Sequence, residues 1–488
     1  MNRFSRLCLA YLCLVSTACS TLPADALPAT PYLTSTPRPG ATALPTRAPY
    51  NPGELVDYIA QDGDTLPALA AHFNTSVEEI REANPIIPDD ATTLPPGMPM
   101  KMPIYFLPLW GTPFKIIPDH AFVFGPTQDG FDTQAFVASH PGWLKDYREY
   151  AGGENRSGAQ IVDYVALNFS LSPRLLLALL EYQAGALSRP GVADTTYPLG
   201  YTDRFHEGVY LQLVWAANIL NNGYYGWRSG SLTEFELPDG LLERPDPWQN
   251  AATVGLQYYF SRLNAGSFYT RAIGPDGLLQ TYQSLFGDPW TETLVLIPGS
   301  LQQPPMRMPF QPGELWTYTG GPHTGWGDGE PYAGIDFAPP SESSGCTPTT
   351  HPATAVADGL VIRTDVGIVV LDLDGDGLEQ TGWVIFYLHV GTIGKARVGT
   401  WLKAGDPIGM PSCEGGHTTG THIHLARKYN GEWMLAEGPL AFNLEGWVSH
   451  NGSQPYLGTL TRGGETVTAC SCSDQASQVG SGDFLINP

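Results

Sequence analysis

His422 and His424 stand one residue apart, inside Gly420-Thr421-His422-Ile423-His424. Side chains two positions apart share a face when the backbone is extended. On a strand the pair therefore points to one face, and two imidazoles held side by side on a rigid strand are a good start for a catalytic zinc site. Two further pieces lie upstream. Tyr387-Leu388-His389 follows the apolar run Trp383-Val384-Ile385-Phe386, and Asp336 sits in Ala333-Gly334-Ile335-Asp336-Phe337-Ala338-Pro339. A lone His-x-His would be a weak signal. A carboxylate and a third histidine in similar strand-like contexts make it a candidate ligand set.

The chain has 488 residues, 42% of them hydrophobic. That length implies about two to four domains. Lys and Arg number 25 against 48 Asp and Glu, a net charge of −23. Such a chain has no electrostatic reason to bind nucleic acid or an anionic membrane surface. Uncharged or zwitterionic partners such as sugars and short peptides fit better.

The first eighteen residues read as a secretory signal. Arg3 and Arg6 open it, Leu7 to Val15 is an apolar core too short to span a bilayer, and Ser16-Thr17-Ala18-Cys19 closes it. It resembles a bacterial lipoprotein signal, which implies a lipid on Cys19, a membrane anchor through that lipid, and a cell-envelope location. Simple cleavage after Ala18 would instead release the protein. Among the remaining cysteines, Cys346 and Cys413 each border the proposed zinc site and are the expected disulfide, in an oxidising compartment. Cys470 and Cys472 could imitate half of a metal site, but no second pair accompanies them.

Residues 19–53 are rich in Pro, Thr and Ala and read as an extended, solvated tether. Residues 54–105 then give a strand-helix-helix-strand pattern. Val56 to Ala60 alternates, Asp64 is placed to cap a helix beginning near Thr65, Ser76 caps a second, and Met98 to Ile104 closes the unit. With Asp62-Gly63-Asp64-Thr65-Leu66, Asn84-Pro85 and Leu94-Pro95-Pro96-Gly97, this unit resembles the LysM carbohydrate-binding module. The resemblance implies binding of N-acetylglucosamine polymers such as peptidoglycan. It places the groove between Gly63, Asp64, Thr65 and Leu66 on one side and Asn84, Pro85, Ile86 and Ile87 on the other.

Residues 106–300 read as mainly helical. Ile161, Val162, Val165 and Phe169 keep helical spacing, Ser172-Pro173 starts a helix and Gly185 stops it, and two more helices are expected over 209–220 and 251–263. Leu175 to Gly185 weakly resembles the catalytic helix of lysozyme-like lytic transglycosylases, which need a glutamic acid. Aligned on the glycine, that position is Gln183, and Glu181 lies about 160° to 200° away around the helix. The region is therefore read as structural or glycan-positioning.

Residues 301–462 are strand-rich, with candidate strands over 355–361, 367–373, 384–390 and 401–408. Residues 463–488 are Gly/Ser/Thr-rich and read as an irregular tail. The expected class is thus multidomain α+β: a small βααβ module, a mainly helical middle domain and an antiparallel β-sheet domain.

In order, Gly334-Ile335-Asp336, Tyr387-Leu388-His389, Gly405-Asp406-Pro407-Ile408-Gly409 and Thr419 to His424 resemble the lysostaphin/LytM-type zinc metallopeptidases that cut peptidoglycan. The common pattern puts a histidine two residues before Gly334, where this chain has Tyr332. His323, thirteen residues before Asp336, and Cys413-Glu414-Gly415-Gly416 resemble the β-lytic/staphylolysin branch, where the histidine comes from an upstream turn. The resemblance implies His323, Asp336 and His424 as ligands of one Zn2+, with a fourth position open for water. It implies His389 and His422 as the catalytic pair facing the reacting peptide bond. His417 is the reserve ligand. Asp372, Asp374 and Asp376, with Gly377 at the sixth place, resemble the start of a Ca2+ loop, but its twelfth position is Trp383 rather than a clamping glutamate. The expected function is a peptidoglycan-binding zinc endopeptidase. The main alternative, supported by Tyr332, is an inactive regulator or scaffold of other wall hydrolases.

Overall fold

Two antiparallel strands, Glu54–Ile59 and Pro99–Ile104, enclose the helices Leu66–Phe73 and Val77–Ala83. Leu69, Phe73, Ile80, Met102 and Ile104 form their fully buried core. The first helix is capped by Thr65, whose hydroxyl accepts from Ala68 N, and not by Asp64 as expected. Asp64 turns inward, accepting from Tyr58 Oη and Gln61 N at 2.7 Å each. Ser76 caps the second helix in a reciprocal pairing with Glu79.

The computed structural model describes residues 42–106, 109–191, 195–341, 343–472 and 474–482. The signal segment, Cys19 and the tether up to residue 41 lie outside them. Residues 42–53 of the expected solvated tether run against the helical region instead. Arg47 pairs with Asp246 and lies 4.0 Å over the Trp248 ring, and Leu44 packs on the helical core. Among the described residues no helix is long and apolar enough to cross a membrane.

The helical region is built round the long helix Gly208–Ser229, flanked by Gly158–Phe169 and Ala251–Ser261. Gly223 lets two helices meet closely, since a Cβ there would come within 2.8 Å of Gly255 Cα. Ser172 caps Pro173–Ala184 and Gly185, at φ 61°, ends it.

A nine-stranded sheet follows. Its path runs Trp401–Leu402, Gly359–Asp365, Gly367–Asp372, Trp383–Val390, Ile423–Tyr429, Tyr332–Ala338, Leu315–Thr324 and Gln478–Gly480, with Glu432–Trp433 pairing off Ile423–Tyr429. Every pairing in it is antiparallel. The expected strand over 355–361 begins only at Gly359. That over 401–408 breaks into two short pieces, because Lys403 to Asp406 turns, with Lys403 N bonded to the Asp406 carboxylate.

The tail is not irregular. Glu465–Thr468 extends a second sheet with Asn443–Leu444, Trp447–Asn451 and Gly458–Arg462, and Gln478–Gly480 pairs with Leu315–Thr324. Sheet edges supply backbone donors and acceptors whatever the side chains, and single apolar residues, Val467 and Val479, suffice to seat these strands.

Alternation divides the large sheet cleanly. Val369, Leu371, Ile385, Tyr387, Ile423 and Leu425 face one core. Ile368, Val370, Val384, Phe386 and Ala426 face the other, which they share with the helices. The described residues all fall in one compact unit, so the helical and sheet regions are not independently packed bodies.

Candidate metal centre

His424 lies opposite Asp336 in the sheet register, and opposite Leu388 on the other side. All three point to the helix-facing side, just beyond the part the helices cover. His323 comes from Leu315–Thr324, opposite Gly334, where the register slips. Two glycines make room. A Cβ on Gly334 would collide with the His424 ring, and one on Gly320 would come within 2.5 Å of Asp336 Oδ2. The glycine before Ile335-Asp336 is thus a steric requirement of the histidine beside it.

Three donor atoms converge. His323 Nε2 is 2.9 Å from His424 Nδ1, His424 Nδ1 is 3.1 Å from Asp336 Oδ1, and His323 Nε2 is 3.3 Å from that same oxygen. Donors about 2.0–2.1 Å from a tetrahedral Zn2+ are separated by about 3.3 Å. His323 Nδ1 donates to Gly321 O at 2.8 Å, leaving Nε2 a bare lone pair, while His424 Nε2 is buried without a partner among the described residues. Two ring nitrogens turned onto a buried carboxylate are the donor set a cation needs, so the residues fit Zn2+. Burial alone would raise the Asp336 pKa, but the neighbouring His323 and His422 hold it well below the carboxylate range. His424 is shifted down, chiefly by burial.

His389 and His422 face the same space, ring centroids 4.5 Å apart. Each is fixed through Nδ1, to Glu414 O and Gly420 O respectively, at 2.8 Å. Their Nε2 atoms are left for the cleft, and His422 Nε2 is 3.6 Å from Asp336 Oδ2. His389 has φ 65°, left-handed backbone that is rare for a residue with a side chain. The kink falls one residue before the strand ends at Val390, where its register with Gly367–Asp372 shifts, and its carbonyl is held by Ser412 N and Oγ at 2.7 and 2.9 Å. Burial and the nearby His422 push the His389 pKa down to about 4.

The five residues picked from the sequence line one cleft of about 1350 Å³. Tyr332 does not line it; its hydroxyl is raised in pKa by burial and by Glu330. His417 lies on the rim. Tyr456 is missed by sequence reasoning; its ring stacks on His323 at 4.0 Å while Gly321 N donates to its carbonyl. No motif marks it. Cys346 and Cys413 form a disulfide beside the cleft, spanning 67 residues. By loop closure it stabilises the fold by about 4 kcal/mol. Cys470 and Cys472 are bonded to each other, which removes them as metal ligands.

The expected glycan groove is half covered. Gly63 abuts the Arg228 guanidinium, which also donates to Asp62 O. Asp64, Leu66, Asn84 and Ile87 are buried, Gly63 and Thr65 half-buried, and Pro85 and Ile86 exposed. Asn84 spends its amide on Ile80 O and Lys101 O. Glu181, weighed above as an acid, accepts from Leu187 N and Ser188 N and serves its helix end. Asp372, Asp374 and Asp376 gather their carboxylates, but Asp372 is spent on the N–H groups of Asp374, Gly375 and Gly377, and Trp383 opens the next strand. These contacts serve a turn.

Two family models match parts of the chain. The LysM domain model matches residues 58–103, and the model for the LasA N-terminal domain, rather than a lysozyme-like one, matches residues 115–301. Protease LasA of Pseudomonas aeruginosa is 27% identical over 344 residues, 66% of this chain and 75% of that protein. The M23 metalloprotease pseudoalterin from the deep sea is 22% identical, at a TM-score of 0.29, covering 34% of this chain and 96% of that one. The catalytic domain of the prophage-encoded M23 protein EnpA from Enterococcus faecalis is 25% identical, at a TM-score of 0.19, covering 26% and 93%. The LysM domain match thus falls on the strand-helix-helix-strand module, and the likeness to Protease LasA spans 344 residues.

Proposed function

We propose that this protein is a zinc endopeptidase that hydrolyses peptide bonds of peptidoglycan. The observation that carries the reading is the convergence of His323 Nε2, Asp336 Oδ1 and His424 Nδ1 within 3.3 Å of one another. These three would hold the metal. When bound, zinc supplies a more acidic water and a polarised carbonyl. His389 and His422 carry the proton work. His389 Nε2, on a ring kept neutral at pH 7 by burial, takes up a proton as base. His422 Nε2, fixed by its Nδ1 bond to Gly420 O, faces the developing oxyanion as donor. The LysM match, together with an open cleft at the metal centre, favours a wall polymer over a soluble protein as substrate.

We further propose a lipid on Cys19 as the anchor, which places the enzyme in the cell envelope. Palmitate labelling lost in Cys19→Ser tests that step. For the hydrolase itself, full-length protein is incubated with peptidoglycan and the released fragments are weighed by mass spectrometry. Chelator abolishes release. His389→Ala lowers it by about 10²- to 10⁴-fold with zinc retained, while Asp336→Ala loses both. Full activity in either variant would sink the reading and favour an inactive scaffold.

A further inference from the structure

The end of the chain returns to the cleft. After Glu465–Thr468 the tail crosses from the second sheet to the large one. Ala469 N donates to Gly458 O at 2.9 Å, and Cys470 N donates to Tyr318 O at 3.0 Å. Tyr318 belongs to Leu315–Thr324, the strand that carries His323. Gln478–Gly480 then pairs with Thr317, Trp316 and Leu315 of that same strand. Ser471, Cys472 and Gln478 thus form one end of the cleft, beside Leu315, Thr317 and Thr319.

The bond between Cys470 and Cys472 lies at that crossing, with Cys472 exposed and Cys470 half-buried. A disulfide resists reduction to the extent that the fold keeps its two thiols together. Cys346 and Cys413 are kept together by a frame of hydrogen bonds. Thr421 N donates to Gly345 O at 3.1 Å, Thr347 N donates to Thr421 Oγ1 at 2.9 Å, and that hydroxyl donates to Thr347 O at 2.6 Å. Beside Cys413, Ser412 is bound through N and Oγ to His389 O. Cys470 and Cys472 are held differently. Only Ser471 separates them, so their bond contributes little loop-closure stabilisation, and a ring this short constrains the chain it closes. A disulfide that is exposed and gains little from the fold is the kind that exchanges readily.

We propose that Cys470–Cys472 is a thiol-exchange site on the wall of the cleft, opened by a dithiol reductant, and that its closed form braces the end of the cleft where substrate lies. A thiolate of the dithiol attacks Cys472 Sγ, the more exposed sulfur. The S–S bond breaks, and Cys470 Sγ leaves as a thiolate and takes a proton. The second thiol of the reductant, once deprotonated, attacks the reductant's own sulfur in the mixed disulfide and releases Cys472, which takes a proton in turn. Two electrons pass from the dithiol, now a cyclic disulfide, to the cystine, now two thiols. The effect on substrate rests on the hydrolase reading above, whereas the exchange at sulfur does not.

Full-length protein is equilibrated with mixtures of reduced and oxidised dithiothreitol, quenched with iodoacetamide, and its peptides are weighed by mass spectrometry. Cys470 and Cys472 are expected to become alkylated together, at a ratio of reduced to oxidised reagent at least about tenfold below that which opens Cys346–Cys413. Amide exchange then rises in 315–320 and 465–472 and holds in Trp383–Val390. Cys470→Ser with Cys472→Ser shows the same faster exchange without reductant. In that variant KM for peptidoglycan fragments rises about threefold or more, while kcat and zinc content hold. Opening of Cys346–Cys413 first, or of both bonds at one ratio, overturns the exchange site. Selective opening with unchanged amide exchange, or with unchanged KM in the serine pair, overturns the brace. If the unaltered chain cleaves no peptidoglycan, the hydrolase reading fails, and alkylation and amide exchange still decide for or against the site and its brace.

Discussion

A methyl group is the smallest probe of the metal centre. Gly334→Ala places a Cβ into the His424 ring across the strand pair, with the Thr324 carbonyl oxygen 3.0 Å away as a further obstacle. The expected result is a folded protein whose zinc affinity falls about 10- to 100-fold, as when groups that orient metal ligands are disturbed. Metal content after dialysis against a buffered zinc series, beside an unchanged far-ultraviolet circular dichroism spectrum, checks it. The residue scale also shows what a sequence can disclose. His323, Asp336, His389, His422 and His424 were picked by motif and spacing and do gather in one cleft. Tyr456 was not, because its partner His323 lies 133 positions away, and stacking between remote rings leaves no local pattern.

Strands carry a second lesson. Period-two alternation marked Trp383–Val390 well, since one face meets one core and the other face another. It could not show that the second core belongs to helices more than a hundred residues earlier. Nor could it show the short tail strands, whose pairing depends on backbone edges rather than on apolar runs. On the helix-facing side of the sheet sits a buried ionic knot. Glu379 pairs with Lys428 at 2.9 Å and with Arg363 at 2.8 Å, and Arg363 reaches Asn168 of the helical region. Burial raises the Glu379 pKa, but the two cations outweigh it and bring it down to about 2 from 4.5. The folded pKa lies below the unfolded one, so this stabilisation is complete above about pH 4.5 and drains away as pH falls toward 2. Glu379→Gln is expected to cost about 3–5 kcal/mol at pH 7, by leaving the buried Lys428 and the half-buried Arg363 without their shared counter-charge. It should also flatten the acid limb of stability. Urea midpoints measured from pH 7 to pH 3 for both proteins give the comparison.

At the scale of the molecule, three regions meet at Arg228. Its guanidinium holds Asp119 of the helical region at 3.0 Å, Glu432 of the sheet region at 2.9 Å, and the Asp62 carbonyl of the LysM module. His72 of the module stacks on Trp227 at 3.5 Å, and Trp248 Nε1 donates to Asp57 O at 2.9 Å while its ring meets Phe73 edge-on. Removing one such aromatic should loosen the module without unfolding the rest. Trp248→Ala is expected to raise amide exchange in 54–73 by at least about tenfold, as about 3 kcal/mol of packing is lost. Exchange within Trp383–Val390 should stay unchanged. The sequence showed the module but not its docking, because the docked residues also look like ordinary module residues.

That docking changes what a second binding module can do. A module on a slack leash searches a volume, and its benefit depends on how long the leash is. A module bolted to the frame searches nothing: it sets a fixed offset between the strand it grips and the bond that is cut. Such an enzyme behaves as a gauge, working well on polymers whose spacing matches its own and poorly on those that do not, however many sites they offer.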